Sequence, residues 1–420
     1  MSSRRPHVVS RLSHGPSDSW LPRDAPWWRE LPVDFHRHRE DFALEEHDRW
    51  PVALTSASDG LIRTFASTLL AGTALPLGFA PWQLSSLKRD LEFYGEILDS
   101  GDRERMFATP SGRVEVTTSP ARRPLYRPSD GECLDVRFTS PFVPVQPSLR
   151  GPYERKRRNA TVSARWWRQR NGPRPTIIAI HGFSADLYQV NEWFFSLPFL
   201  YRMGADVLLF TLPFHGSRQS MLSPFSGHGF FSGGVGRMNE AFAQAVFDLR
   251  VLMDHLFAEG VEQIGVTGVS LGGFTTALLA SVDPRLSFAI PNVPVASLPD
   301  LVLEWTPMGT AIRGMMGAAG LSLEDVRRGC APTCPLTWDP LVPRDRRMLI
   351  GGVADRLAPP KHTKLLWDHW DHCRLHWFPG SHLLHLDRGD YLWQIARFLR
   401  KVGFLDPDHP RDPTEEHPFA

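Results

Sequence analysis

Cysteine is scarce in this chain: four residues (Cys133, Cys330, Cys334 and Cys373) are scattered over 420 positions. So thin a set cannot frame a disulfide-held fold. It favours a reducing compartment, and the expected location is cytoplasmic. Cys330 and Cys334 are close enough to pair or share a metal, but no second close cysteine pair completes a zinc site, so no metal is expected. Net charge is nearly absent too, since 47 basic and 46 acidic side chains leave a formal +1. No global field draws in nucleic acid or an anionic membrane, and partner choice must come from a local site. Long apolar runs are also missing. The first thirty residues carry arginine, proline and histidine without the hydrophobic stretch of a secretory signal. Residues 61–80 come nearest to a membrane span, but Arg63, Gly72, Pro76 and Gly78 interrupt them. We read this segment as a buried or surface-lying helix ending near Gly72, with peripheral membrane contact as the alternative.

What is present is an ordinary globular composition, 42% hydrophobic and 22% charged, which suits one large domain with additions. The expected division is an N-terminal extension over residues 1–112, a main domain over 113–405 and a flexible tail over 406–420. In the extension, His36, His38 and His47 lie near Glu40, Asp41, Glu45 and Glu46. No fixed ligand spacing is present, and a solvated polar segment is the plainer reading. From Pro81 the spacing predicts an amphipathic helix, with Leu84, Leu87, Leu91, Tyr94 and Leu98 on one face and Lys88, Arg89, Asp90, Glu92 and Glu96 elsewhere. Strand-like runs at Val114 and Val116, at 134–138 and at 161–167 predict antiparallel strands at one edge of a sheet. Arg150, Arg155, Lys156, Arg157 and Arg158, then Arg165, Trp166, Trp167, Arg168 and Arg170, read either as a patch for anionic head groups or, more plainly, as a solvated loop and exposed hairpin.

From Pro175 the pattern alternates. Ile177, Ile178 and Ile180 form an almost continuous apolar strand ending in His181-Gly182-Phe183, and a helical stretch over 187–203 follows. A second strand at 207–210 ends in Leu212-Pro213-Phe214-His215-Gly216, and a loop rich in Gly, Ser and Phe continues to Gly236. The next helix carries Met238, Phe242, Val246, Leu249, Met253 and Leu256 on one face and stops at Gly260. Further strands are expected at 288–295, 348–353 and 375–378, with a closing helix through Tyr391, Leu392, Ile395 and Leu399. This alternation specifies an α/β architecture with a mostly parallel sheet and ligands at the carboxyl ends of its strands. Residues 297–345 are too long for a simple crossover. Their Met- and Gly-rich stretch at 311–318 reads as a lid, with an ordinary crossover helix as the alternative.

The chemistry centres on Gly268-Val269-Ser270-Leu271-Gly272-Gly273, preceded by Ile264 and Val266 at strand spacing and followed by Phe274, Leu278 and Leu279 at helical spacing. This is the setting of a nucleophile elbow, in which a sharp turn pushes the serine out at the top of a sheet. A serine hydroxyl needs a base to take its proton and a third group to orient that base. Asp355 and His382 each follow a predicted strand, so three strand ends supply three complementary groups. His385 is an alternative base and Asp300 an alternative acid. His181 and His215 read as shapers of their loops. The oxyanion of acyl transfer needs main-chain donors, for which the amides of Leu271 and Phe183 are the candidates, the latter in the loop His181-Gly182-Phe183. No cofactor is implied.

Residues 175–403 resemble the α/β-hydrolase superfamily through His181-Gly182, residues 212–216, the elbow at 268–273, Asp355 and His382. The resemblance implies an α/β-hydrolase fold, a mostly parallel central sheet with helices on both faces, here with a helical lid insertion and an N-terminal extension. Residues 87–93, 101–105, 138–142 and 265–273 are similar to the branch called α/β-hydrolase domain-containing 18. The chain departs from that branch in the oxyanion loop and lacks its long insertion before the acid, so no substrate carries over. The expected activity is that of a serine esterase or lipase-like hydrolase forming an acyl-serine on a small-molecule or lipid ester. An acyltransferase, a peptidase or a non-catalytic binding protein on the same fold are the alternatives.

Overall fold

The computed structural model describes residues 25–38, 40, 44, 50–78, 81–386 and 388–406. The strands are β1 (Thr117–Pro120), β2 (Gly131–Thr139), β3 (Thr161–Gln169), β4 (Thr176–Ile180), β5 (Asp206–Phe210), β6 (Ile264–Val269), β7 (Leu286–Asn292), β8 (Met348–Gly352) and β9 (Arg374–Phe378). They form one sheet in the order β1-β2-β3-β5-β4-β6-β7-β8-β9. From β5 to β9 every pairing is parallel, whereas β1, β2 and β3 run antiparallel at one edge. Every residue of β4, β5, β6 and β8 is buried, which is why these strands read as unbroken apolar runs. Successive side chains feed opposite faces. Ile178 and Ile180 join the core built by the helix Gly234–Ala258, and Ile177 and Ala179 join the one built with Phe199, Leu392 and Leu399. Each fully buried side chain of this size contributes roughly 1.5–3 kcal/mol, so both faces bind the helices that cover them.

Several local expectations give way to packing. The predicted helix over 187–203 is two, Tyr188–Phe194 and Leu197–Arg202, divided at Ser196 with φ 47°. Pro198 is the cause: in a continuous helix its ring would meet the carbonyl of Phe194, whereas in the first turn of a new helix its missing N–H costs nothing. The N-terminal helix runs from Trp50 to Gly78 and passes through Gly72 rather than ending there. One interior glycine costs only about 1 kcal/mol against alanine, too little to stop it. Among the described residues no helix is long and apolar enough to cross a membrane. Asp90, expected on the polar face of the helix Pro81–Asp99, is buried and accepts a 2.8 Å hydrogen bond from Gln146. Val114 and Val116 pack on the core as loop residues, and pairing begins only at Thr117.

Within the basic stretch, Arg150, Arg155, Arg157 and Arg158 are exposed, but the part with interleaved tryptophans is not an exposed hairpin. Trp166 and Trp167 are fully buried in β3, while Arg165 pairs with Asp135 at 2.8 Å and Arg168 with Glu132 and Glu259 at 2.8 and 2.9 Å. All four cysteines are free thiols. Asp41, Glu45, Glu46 and His47 of the N-terminal polar cluster, and the tail beyond residue 406, lie outside the described residues.

Between β7 and β8 the chain forms three helices, Leu298–Glu304, Met308–Ala319 and Leu323–Cys330. They interlock with the N-terminal extension: buried Arg327 pairs with Asp300 at 2.5 Å and donates to the carbonyls of Leu31 and Pro32 at 2.6 and 2.8 Å. A second buried pair, Arg218 with Asp248 at 2.7 Å, fixes the loop after β5. Arg218 also donates to the carbonyls of Thr211 and Asn159, and Ser140 donates to Asp248. Asp248→Asn leaves a guanidinium buried without its countercharge and is expected to cost about 3–5 kcal/mol in urea unfolding. Adding Arg218→Met should recover part of that loss. A single-variant loss below about 1 kcal/mol would show that the pair is not the fixture described.

Candidate active site

The strand β6 stops at Val269, and the helix Leu271–Val282 begins one residue later. Ser270 makes the turn alone, at φ 57° and ψ −114°, a conformation an L-residue adopts only when its surroundings enforce it. The enforcement is visible. The Ser270 amide donates to the carbonyl of Asn292 on β7 at 3.0 Å. A Cβ on Gly272 would lie 2.0 Å from the carbonyl oxygen of Ile180, and one on Gly268 would lie 2.3 Å from that of Gly272. Only glycine lets the elbow sit this close to the end of β4. The Ser270 side chain is half-buried and does not cap the helix, so its hydroxyl is committed to no structural bond there.

The loop after β4 lies over this turn. A Cβ on Gly182 would be 3.5 Å from Ser270 Cβ and 3.4 Å from the carbonyl of Val269. His181 shapes the loop: its Nε2 accepts from the amide of Leu212 at 3.1 Å, which places the proton on Nδ1, bonded to the Gly182 carbonyl at 2.7 Å. Burial lowers its pKa and keeps the ring neutral. His215 is fully buried, its Nδ1 2.8 Å from the Pro213 carbonyl and its ring 5.0 Å from that of His181. Burial, then the neighbouring His181, pushes its pKa well below that of free histidine. Both rings brace the strand-end loops.

At the same edge of the sheet, Asp355 follows β8 and His382 follows β9. Their side chains meet, with His382 Nδ1 2.7 Å from Asp355 Oδ2, and both residues are buried. The other carboxylate oxygen, Oδ1, accepts from the amides of Leu357 and Ala358 at 2.8 Å each. Burial disfavours the imidazolium of His382, but the charge and hydrogen bond of Asp355, with the charge of Asp59, outweigh it and raise the pKa. Burial also raises the pKa of Asp355, partly opposed by His382. Among the described residues no hydrogen bond joins the Ser270 hydroxyl to His382.

The alternative acid and base have other partners. Asp300 is held by Arg327 and by Ser297, which donates at 2.5 Å. His385 packs 4.0 Å from the Phe378 ring and 5.3 Å from that of Tyr391, and burial, reinforced by Arg388, pushes its pKa down to about 3. Sequence reasoning missed Asp59. This fully buried residue of the helix Trp50–Gly78 accepts from the His382 amide at 2.8 Å and from the Ser381 hydroxyl at 2.9 Å. One signal could have found it: Asp59 is the lone acid between residues 50 and 80.

No protein-family model matches the chain. Two Mycobacterium tuberculosis proteins, the uncharacterized Rv2627c and MT2702, are each 29% identical over 348 residues, spanning 77% of this chain and 76% of theirs. Among solved structures, an acetyl xylan esterase from Paenibacillus sp. R4 is similar at a TM-score of 0.50 and 14% identity, covering 76% of this chain and 99% of that one. At that identity the likeness speaks of fold. Together with the strand order it shows an α/β-hydrolase fold, a mostly parallel sheet between helical layers.

Proposed function

We propose that this chain is a serine hydrolase that cleaves a carboxylic ester through an acyl-Ser270 intermediate. The observation that carries the reading is the buried 2.7 Å contact between His382 and Asp355 at the sheet edge where Ser270 is held in a strained turn. In this mechanism His382 Nε2 takes the hydroxyl proton as Ser270 Oγ attacks the ester carbonyl, and Asp355 holds the proton on Nδ1. The contact between serine and base, open in the free protein, closes with substrate in place. The amides of Leu271 and Phe183 receive the negative oxygen. The leaving alcohol then takes the proton from His382, and water, activated by the same imidazole, releases the acid and restores the serine.

Esters with an apolar acyl group suit the surroundings best. Phe183, Phe225 and Phe231 are half-buried, the rings of Phe225 and Phe231 lying 6.1 and 5.4 Å from that of Phe183, and they form an apolar wall beside the oxyanion loop. Phe214 and Phe230, which neighbour them in the same loop region, belong to the core. The lipid ester, the lid role of residues 297–345, the likeness to the α/β-hydrolase domain-containing 18 branch and a cytoplasmic location are parts of this proposal. A fluorophosphonate probe and a panel of p-nitrophenyl esters from two to sixteen carbons test it: labelling with turnover supports it, and neither across buffers and detergents rejects it.

The pH profile follows from the direction of the His382 shift. The base works only when neutral, and its pKa is raised above the ordinary 6.5. kcat/KM is therefore expected to rise with pH through a single ionisation lying above 6.5 and to be lost on acidification. An acid limb below that value would mean that Asp355 and Asp59 do not act on the base as described.

A further inference from the structure

The helix Trp50–Gly78 belongs to the N-terminal extension, outside the stretch that carries the hydrolase motifs, yet its polar side chains converge on the two loops that hold Asp355 and His382. Asp59 Oδ2 accepts from the amides of His382 and Arg356 at 2.8 and 3.2 Å, and Oδ1 accepts from the Ser381 hydroxyl at 2.9 Å. One turn away, Arg63 donates to the Arg356 carbonyl at 3.0 Å, and Ser56 accepts from the Arg356 guanidinium at 2.9 Å. Ser67 accepts from the amide of Met308, the first residue of an insertion helix, at 3.1 Å. One buried carboxylate thus joins the loop after β8 to the loop after β9, next to the residues whose separation sets the Asp355–His382 bond.

We propose that Asp59 is a positioning residue of the active site, its carboxylate tying the acid loop to the base loop so that His382 keeps its orientation towards Ser270. The inference rests on the serine-hydrolase reading above. It makes the N-terminal helix a working part of the site rather than a cover for it. Burying an aspartate away from a direct ion pair is costly unless hydrogen bonds hold it, and all three donors here come from the two loops. A bond of this kind fixes geometry, where a displacement of 1 Å is worth about a hundredfold in rate. The charged and titratable groups facing His382 are Asp355 from the loop after β8, Asp59 from the N-terminal helix and His385 on its own loop, with Arg356 and Arg63 bordering Asp59. Asp59 raises the imidazole pKa in concert with Asp355.

Two variants separate its geometric and electrostatic parts. Asp59→Asn can keep every contact, its oxygen accepting from both amides and its NH2 donating to the Ser381 hydroxyl, while the charge is removed. Asp59→Ala removes the tie. Full-length wild type and both variants are compared by thermal melting, by the rate of fluorophosphonate labelling per folded molecule, and by NMR titration of 13C-histidine with the His382 signal assigned from His382→Gln. The expected result is labelling of Asp59→Ala slowed by about a hundredfold, and of Asp59→Asn by less than about tenfold. In Asp59→Asn the His382 signal should titrate at lower pH than in wild type. Labelling of Asp59→Ala at the wild-type rate, or a His382 titration unmoved in Asp59→Asn, overturns the proposal. If Asp59→Ala does not fold, the Asp59→Asn titration decides. If the wild type is not labelled at all, the hydrolase reading fails, and the same titration still decides whether Asp59 acts on His382.

Discussion

Replacing Ser270 by alanine is expected to lower kcat for ester hydrolysis by a factor on the order of 10⁶ and to abolish fluorophosphonate labelling, with little change in stability. The reasoning starts from what the side chain does not do. Its hydroxyl makes no cap to the helix that begins at Leu271, and the residue is half-buried, so its removal leaves no orphaned buried partner. The strain of the turn is carried by the backbone at φ 57°, which alanine inherits unchanged. Stability by urea unfolding should therefore move by no more than about 0.5 kcal/mol. Loss of rate without loss of fold is the signature of a group whose work is chemical. A Ser270→Ala enzyme within tenfold of wild type, measured with protein purified free of host esterases, would remove Ser270 from the reaction.

That the turn at Ser270 could be placed from sequence reflects how local its constraints are. A strand, a one-residue turn and a helix leave a spacing of glycines because backbone carbonyls sit 2.0–2.3 Å from where two Cβ atoms would be. The parallel strands were equally legible, because burial on both faces forces a continuous apolar run such as Ile177 to Ile180. Asp355 and His382 could be paired because each stands just past a strand, and in a parallel sheet all such positions share one edge.

The misses share the opposite property. Trp166, Trp167 and Arg165 read as a surface patch because arginines flank both rings along the chain. In β3 the two adjacent rings face opposite sides of the sheet and each is buried in the core on its own side, and the partner that neutralises Arg165 comes from β2. Asp90 and Asp59 look like ordinary exposed acids on helices, and each is buried against donors from distant segments, Gln146 for one and residues 356, 381 and 382 for the other. Periodicity shows which face of a helix is apolar. It does not show which polar group will find buried partners, since that depends on how whole elements dock. The break at Ser196 is a nearer miss: Pro198 was in plain view, and its clash with the Phe194 carbonyl is local physics.

Asp355→Asn carries the second large expectation, a fall in kcat of about 10⁴. The size follows from how the two oxygens of this carboxylate are used. Oδ1 accepts from the amides of Leu357 and Ala358, both at 2.8 Å, while Oδ2 faces His382 Nδ1 at 2.7 Å. An asparagine has one oxygen, and the two amides claim it, since turning it away would set an NH2 against two N–H donors. The NH2 must then face His382, where it can donate only to an unprotonated Nδ1. The imidazole proton moves to Nε2, the atom that has to accept from Ser270, and the base is held in the tautomer that cannot work. The same exchange removes a negative charge that raises the pKa of His382, so the remaining activity should show its acid limb at lower pH than wild type. Asp300→Asn is the matched control. That carboxylate is bound to Arg327 and Ser297, so its loss should lower stability in urea while kcat per folded molecule stays within about tenfold. If the two variants exchanged these effects, the acid of the triad would be Asp300, and the His382–Asp355 bond would be a structural contact.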